Sequence, residues 1–158
     1  MKTLILYDSF FGNTEKIAFS MRDRLSALSQ VICDKVVEAN RYLPEEFDLF
    51  IAGSPTRGFR PSKLMMQYMN KLSRKQLEGI RVAAFDTRID AKSINSRILH
   101  FLIRLFGYAA GPLAGKLHSK GGILIADPEG FIVEDSQGPL REGELERAAN
   151  WAAHLTGH

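Results

Sequence analysis

The chain has 158 residues, 45% of them hydrophobic and 25% charged, which is typical of a soluble globular chain and predicts a single domain over residues 1–158. Its 21 basic and 18 acidic residues leave a net charge of +3, an excess too small to indicate nucleic acid as a partner. The sequence contains no run of about 18 apolar residues, so we expect no membrane insertion, and the single cysteine, Cys33, favours a reducing cytoplasm.

Short apolar runs alternate with segments of helical periodicity along the chain. Residues 3–7 predict a strand that is covered on both faces, because nearly every position is apolar. The helix that follows is expected to have Asn13 or Thr14 as its cap. Turn-forming residues at 127–130 predict that residues 131–133 fold back beside the end of the fifth strand. Further strands are predicted at residues 30–36, 48–52, 81–85 and 121–126, and further helices at residues 64–72, 94–106 and 145–155.

This alternation predicts an α/β protein with a doubly wound parallel sheet of five strands between two layers of helices. Right-handed crossovers place every strand-to-helix loop at one edge of such a sheet, and ligands bind outside the carboxyl ends of the strands. We therefore search for chemistry in the loops at residues 8–13, 54–61 and 86–92.

Several kinds of site are disfavoured because their motifs are missing from the sequence. The chain has neither the P-loop pattern G-x-x-x-x-G-K-[ST] nor the dinucleotide fingerprint G-x-G-x-x-G after its first strand. The four histidines, His100, His118, His154 and His158, share no metal-ligand spacing, so we expect no metal site. Cys33 lies within a predicted strand and is interpreted as a small buried hydrophobe.

The loop after the first strand has the residue types of a phosphate-binding turn. A strand that feeds a helix through a tight turn presents free backbone N–H groups, and the helix dipole adds positive charge there. Gly12 lets the backbone come close to a ligand, and the hydroxyls of Ser9 and Thr14 are able to donate hydrogen bonds. A turn with a helix cap, needed only for folding, explains the same residues equally well.

Three segments together resemble the flavodoxin-like family, in its short-chain form, over essentially the whole chain. The first is the run Ser9-Phe10-Phe11-Gly12-Asn13-Thr14, which is similar to the family's phosphate loop. The second is Gly53-Ser54-Pro55-Thr56-Arg57-Gly58, and a weaker third is Phe85-Asp86-Thr87-Arg88. Residues 134–148 also look like the closing region of short-chain relatives. The resemblance implies a flavodoxin-like fold.

The resemblance further implies a bound FMN that moves electrons between redox partner proteins, with no side chain acting as acid, base or nucleophile. Carried over residue by residue, it assigns the phosphate to Ser9, Phe10, Phe11, Gly12, Asn13 and Thr14, one edge of the isoalloxazine to Ser54, Pro55, Thr56, Arg57 and Gly58, and its other side to Asp86, Thr87 and Arg88.

The chain departs from the family pattern in its aromatic residues and its charges. Arg57 stands where a stacking aromatic is usual, and Phe59 is the only aromatic nearby in the second and third loops. A cation near a developing anion stabilises it, so we expect a higher second-electron potential than in acidic flavodoxins. The charged residues behind this expectation are Arg57, Arg60, Lys63 and Arg88, opposed by Asp86 and Asp90.

Two other functions stay open at the level of the sequence. One is an FMN-dependent NAD(P)H oxidoreductase that acts on quinone-like small acceptors, and the other is a flavin-free module that binds an anion or a partner. The segment Ile98–Phe106 is apolar nearly all round. Cover from residues 108–117 is the favoured explanation, and a homodimer or partner face is the alternative.

Overall fold

The computed structural model describes residues 1–157, so His158, the last position of the expected domain, lies outside the described residues. Within these residues, six strands and five α-helices follow one another. They are β1 (Lys2–Tyr7), α1 (Asn13–Ser26), β2 (Gln30–Lys35), β3 (Leu49–Pro55), α2 (Lys63–Lys71), β4 (Arg81–Ile89), α3 (Arg97–Phe106), α4 (Ala110–Ser119), β5 (Ile123–Leu124), β6 (Glu129–Val133) and α5 (Glu144–Leu155).

The strands form one open parallel sheet in the order β2-β1-β3-β4-β5, and β6 also pairs with β4. The predicted α/β class with a doubly wound parallel sheet is therefore confirmed. The chain leaves β1 toward one side to form β2 and then crosses to the other side to form β3. This reversal separates the loops that follow β1 and β3, which is where α/β sheets bind ligands.

Two hydrophobic cores lie on the two faces of the sheet. Because side chains alternate along a strand, Leu4 and Leu6 of β1 face one core, whereas Ile5 and Tyr7 face the other. Helices α2 and α4 cover the first face, and α1 and α5 cover the second. The predicted three-layer arrangement is present.

The end of the sheet differs from the sequence-based prediction. The strand expected at 121–126 is only two residues long, and β5 pairs with Arg81 and Val82 of β4. Residues 125–128 interrupt the ladder, and β6 then pairs in parallel with residues 85–89 of the same strand. The predicted fold-back of residues 131–133 is wrong, because the turn-forming segment interrupts the edge without reversing the chain. Fully buried Phe131 holds β6 in place, with its ring centroid 6.0 Å from that of Phe85.

Helix α3 is not covered as the sequence favoured. Most of residues 108–117, which were expected to lie over it, belong instead to α4, whose apolar side is buried against the sheet. None of the ten residues at 97–106 is buried. Gly107, with φ 69°, ends α3 and separates the two helices.

Glu144, at the start of α5, links that helix to β6. Its carboxylate accepts hydrogen bonds from the Ile132 amide (2.6 Å) and from the Arg147 guanidinium (2.7 and 3.0 Å). Burial raises the pKa of Glu144, but the hydrogen bonds from Arg147 and the Ile132 amide outweigh it and hold the pKa below the ordinary 4.5. The ionised carboxylate therefore stabilises the fold.

We expect Glu144→Gln to lower the free energy of unfolding at neutral pH by about 1 kcal/mol, a small value because Arg147 is partly exposed and screened by solvent. A depressed folded-state pKa contributes stability above pH 4.5 that is lost as the pH falls through the lower folded value. Urea denaturation of both proteins from neutral to acid pH measures this. The difference between them must shrink below pH 4.5; a constant difference contradicts the assignment.

Candidate functional site

A cleft of about 330 Å³ opens at the carboxyl ends of β1, β3 and β4. Four separate segments of the chain form its walls. They contribute Ser9, Phe10, Phe11, Asn13 and Thr14; Pro55, Thr56, Arg57 and Gly58; Thr87, Arg88 and Ile89; and Val133, Ser136 and Gln137. Eleven of these residues belong to the three loops singled out in the sequence.

The first loop is held by a side chain at its beginning. Ser9 Oγ accepts a hydrogen bond from the backbone N–H of Gly12 (3.1 Å) and a longer one from the N–H of Glu15 (3.4 Å). Gly12 occupies the cap position of α1 with φ 86°, and the expectation that Asn13 or Thr14 caps the helix is wrong. Their side chains instead bind other parts of the cleft, where Asn13 Nδ2 donates to the carbonyl of Gln137 (3.1 Å).

The turn into α1 exposes a group of amides to the cleft. Among residues 1–157, the backbone N–H groups of Phe10, Phe11, Asn13 and Thr14 have no hydrogen-bond acceptor. They lie at the positive end of the helix dipole, and the left-handed backbone of Gly12 turns the chain there. This arrangement fits a phosphate group, whose oxygens accept from such amides.

The second loop ends in a tight turn at residues 57–60. The N–H of Arg57 donates to the carbonyl of Arg60 (2.9 Å), and the N–H of Arg60 donates to the carbonyl of Arg57 (3.0 Å). The central residues Gly58 and Phe59 have φ of 53° and 65°, as a type I′ turn requires. The Arg57 guanidinium lies 5.0 Å from the ring centroid of Phe10 and 5.7 Å from that of Phe11. Arg57 therefore joins the first two loops.

The third loop is the end of a longer strand than the sequence indicated. Strand β4 continues to Ile89, so its side chains alternate between the two faces through the whole segment. Thr87 lines the cleft, and its Oγ1 lies 2.8 Å from that of Thr14, which ties the third loop to the first. Asp86, one position earlier, points away from the cleft.

Asp86 supports the cleft wall from behind. It is fully buried and accepts two hydrogen bonds from Arg88 (2.6 and 2.8 Å) and one from the Ala110 amide (2.8 Å). Burial raises the pKa of the Asp86 carboxyl, and the hydrogen bonds from Arg88 and the Ala110 amide oppose that rise. Because Arg88 is paired in this way, its charge is not available at the cleft as a free cation.

Ser54 also lies outside the cleft lining, although it was assigned to one edge of the cofactor. It is fully buried, and its Oγ accepts the N–H of Ser62 (2.8 Å). Ser62 in turn caps α2 by accepting the N–H of Met65 (3.2 Å). Ser54 thus fixes the second loop to the start of α2.

A fourth segment, at residues 133–137, was missed in the sequence. Val133 ends β6, and the loop after it reaches Asn13 through the carbonyl of Gln137. Gly138, with φ 109°, passes so close that a Cβ there would lie 2.8 Å from Asn13 Oδ1. The sequence signal for this wall is the turn-rich run after residues 131–133. If residues 131–133 are read as a parallel strand, that run becomes a fourth loop at the binding edge of the sheet.

A second recess adjoins the cleft and shares Phe10 and Arg57 with it. Its volume is about 680 Å³, and the remaining lining is Arg60, Pro61, Ser62, Lys63, Met66 and Pro112. Arg57, Arg60 and Lys63 form no ion pair with any residue of the described chain. The mouth of the cleft is therefore positively charged.

Outside this site, two other features bear on the sequence-based expectations. Cys33 is half-buried, and burial raises the pKa of its thiol to about 12, so it stays protonated and unreactive at neutral pH. In residues 1–157, no cluster of three or more His, Cys, Asp or Glu side chains is arranged to hold a metal ion.

Comparison with solved structures identifies a shared fold. Flavodoxin 2 from Bacillus cereus is 24% identical, with a TM-score of 0.77 over 99% of both chains. A flavodoxin from the domain Archaea is 17% identical, with a TM-score of 0.78 over 99% of this chain and 97% of that one. Flavodoxin 1 from Bacillus cereus is 16% identical, with a TM-score of 0.75 over 100% and 99%. The predicted flavodoxin-like fold is confirmed.

The same likeness is not found at the level of sequence. No protein-family model matches the chain, and a search of curated proteins finds no match. The likeness to the solved flavodoxins is one of fold.

Proposed function

We propose that the protein binds FMN non-covalently in the cleft and carries electrons between redox partner proteins. The observation that carries this proposal is the group of unpaired amides at the start of α1, which faces the cleft at the positive end of a helix. The flavodoxin-like fold supports the proposal, because the three solved structures compared above are flavodoxins.

Three of the four walls of the cleft have a part in holding FMN. The amides of Phe10, Phe11, Asn13 and Thr14 bind the phosphate, and the rings of Phe10 and Phe11 offer apolar surface to the isoalloxazine. Pro55, Thr56, Arg57 and Gly58 border it on one side, and Thr87 and Arg88 border it on the other. Bound FMN supplies the redox chemistry, and these residues position it and set the charge around it.

The two phenylalanines change the view of stacking taken from the sequence alone. The second and third loops are poor in aromatics, but the first loop places two partly exposed rings in the cleft lining (55% and 46% exposed). Arg57 packs over both rings and keeps them at the mouth of the cleft. We propose that these two rings, supplied by a different loop, stack against the isoalloxazine.

A second function is favoured by the basic recess beside the cleft. Arg57, Arg60 and Lys63 would attract the phosphates of NAD(P)H, and the apolar part of the recess would accept a small quinone-like molecule. In that case the protein is an oxidoreductase with its own substrates rather than a carrier between proteins. Either function fits a reducing cytoplasm, which the lone unreactive Cys33 favours.

FMN fluorescence is expected to be quenched when the purified protein is added. Replacing both Phe10 and Phe11 by alanine should raise the Kd for FMN about ten-fold, because a stacked aromatic is worth about 0.5–1.5 kcal/mol. Phe101→Ala is the matched control: this ring is 63% exposed but lies on α3, outside the cleft lining, and its loss should leave the Kd unchanged.

The same samples separate the alternatives. If the unmodified protein does not quench FMN at all, the flavin assignment is wrong and a flavin-free binding module is the better description. If NAD(P)H bleaches the bound flavin without an added reductase, the oxidoreductase is favoured over the carrier.

A further inference from the structure

Helix α3 exposes a large apolar face that no other part of the described chain covers. Its most exposed apolar side chains are Ile98 (75%), Phe101 (63%), Leu105 (62%) and Phe106 (55%). Single exposed apolar side chains are common on protein surfaces, but here four large ones lie within ten residues. Contiguous apolar patches of this kind mark interaction sites.

The polar edge of α3 is basic. At 100° per residue, Arg97 and Arg104 lie about 40° and 60° around the helix from Phe101, so they border the exposed apolar side chains, and His100 follows on the same edge. All three are exposed, and neither arginine forms an ion pair with any of residues 1–157. The whole segment from residue 91 to 126 contains no aspartate or glutamate.

This charge pattern favours one kind of partner. A basic helix with an apolar face of phenylalanine, leucine and isoleucine has the composition of helices that lie on anionic membranes. A second copy of the chain would bring Arg97 and Arg104 against a face of the same charge, which opposes dimer formation through α3. An anionic lipid surface satisfies both the apolar side chains and the arginines.

The helix is suited to lying on a bilayer rather than crossing it. By length and composition alone, the segment Arg97–Ser119 is long and apolar enough to span. It is nevertheless broken at Gly107, and Leu113 and Leu117 beyond the break are buried against the sheet. The ten residues of α3 reach only about 15 Å, half of a hydrocarbon core of about 30 Å.

The apolar face of α3 continues to the mouth of the cleft. The ring of Phe106 lies 6.0 Å from that of Phe59 in the second loop. Just beyond α3, the Ala109 amide donates to Thr56 Oγ1 (3.0 Å), and the Arg88 guanidinium lies 3.9 Å from the ring centroid of Tyr108. A surface that binds α3 therefore comes to lie beside the cleft.

We propose that α3 docks the protein onto the anionic surface of a lipid bilayer. Its apolar face enters the boundary between headgroups and acyl chains, and Arg97 and Arg104 meet the lipid phosphates. The cleft is thereby held at the membrane surface, within reach of a membrane-bound redox partner. Docking itself goes beyond the proposed function and requires no flavin.

Vesicle co-sedimentation, carried out without FMN, tests the docking. We expect binding to vesicles of phosphatidylcholine with phosphatidylglycerol, little binding to phosphatidylcholine alone, and a decrease as salt is added. The double variant Ile98→Glu/Leu105→Glu should lower partitioning about ten-fold or more, because it places charges in the apolar boundary. Val37→Glu/Leu43→Glu, which changes two apolar residues of similar exposure away from α3 (59% and 53%), is the matched control.

A second variant keeps the apolar face intact. Arg97→Gln/Arg104→Gln should lower the preference for anionic over neutral vesicles about ten-fold. The fold should be unchanged, since both side chains are exposed and unpaired within residues 1–157. No binding by the unmodified protein, or equal binding to both kinds of vesicle, overturns the proposal. A dimer in sedimentation velocity that Ile98→Glu/Leu105→Glu dissociates, without vesicle binding, assigns α3 to a second copy instead.

Discussion

Replacing Gly12 by aspartate is expected to raise the Kd for FMN at least about 100-fold. The new carboxylate would stand among the amides that open α1, where it would take up their hydrogen bonds and repel the phosphate. Two charges at about 4 Å interact by about 4 kcal/mol near a protein surface, so a loss of about 3 kcal/mol in binding is a moderate expectation. Fluorescence titration with FMN measures it directly.

Controls for this variant exist within the chain. Gly79 has φ 82°, close to the 86° of Gly12, and at neither position would a Cβ meet a described atom within 4 Å. Gly79→Asp therefore imposes the same backbone cost, of about 1–2 kcal/mol, without touching the cleft. Gly12→Asn keeps the shape of aspartate but not its charge, and should weaken binding far less.

Riboflavin provides a second comparison, because it lacks the phosphate. Gly12→Asp should leave riboflavin binding nearly unchanged and remove the advantage that FMN has over it. If Gly12→Asp binds FMN as tightly as Gly79→Asp does, the start of α1 does not hold the phosphate, and the proposed function loses the observation on which it rests.

The fold was predictable because its central strands are buried on both faces. Uniformly apolar runs such as residues 3–7, separated by segments of helical period, have few solutions other than a wrapped parallel sheet. The rule that places strand-to-helix loops at one edge then brought together the first three walls of the cleft. Both inferences depend on patterns that a single sequence displays.

Side-chain direction at the strand ends was not predictable in the same way. Strands β3 and β4 run three and four residues beyond the apolar runs that mark them, and Ser54 pairs with Asp86 in register there. Once the strand continues, alternation sends Thr87 to the cleft and Asp86 to the buried side. The sequence marks where the loops begin but not how far the ladder extends.

Helix α3 shows a different limit of sequence reasoning. Periodicity identified both an apolar helix and a following apolar segment, and mutual cover was the simplest arrangement of the two. Only one of them can occupy the face of the sheet beside α2, and α4, with its small Ala110 and Ala114, packs closely there. Competition between two apolar helices for one surface is decided by packing, which a pattern of hydrophobicity does not contain.

Reversing the charge of Arg57 is expected to make the second-electron potential of bound FMN more negative by about 90 mV. Arg57 is exposed at the mouth of the cleft, packs over Phe10 and Phe11, and has no acidic partner in residues 1–157. A unit charge about 8 Å away, at a dielectric constant of about 40, is worth about 1 kcal/mol. Replacing arginine by glutamate changes the charge by two units, and so changes the free energy of reduction by about 2 kcal/mol. Because about 1.4 kcal/mol corresponds to about 59 mV for one electron, the expected shift is about 90 mV.

The sign follows from the charge that the flavin gains on full reduction. A nearby cation stabilises the anionic reduced form and raises the potential, so its replacement by an anion lowers it. Arg88 should contribute less than its position in the sequence suggests, because Asp86 neutralises it from the buried side. The expected elevation over acidic flavodoxins thus depends mainly on Arg57, with Arg60 and Lys63 farther along the rim.

Anaerobic redox titration of the FMN-loaded protein at low ionic strength measures the shift, since salt screens exposed charges beyond about 10 Å at 0.1 M. Arg74→Glu is the matched control: it changes net charge equally at an exposed arginine between α2 and β4, outside the cleft lining. If the two variants shift the potential by the same amount, only the overall charge of the protein matters. A shift confined to Arg57→Glu places the governing cation at the mouth of the cleft, held there by the rings of the first loop.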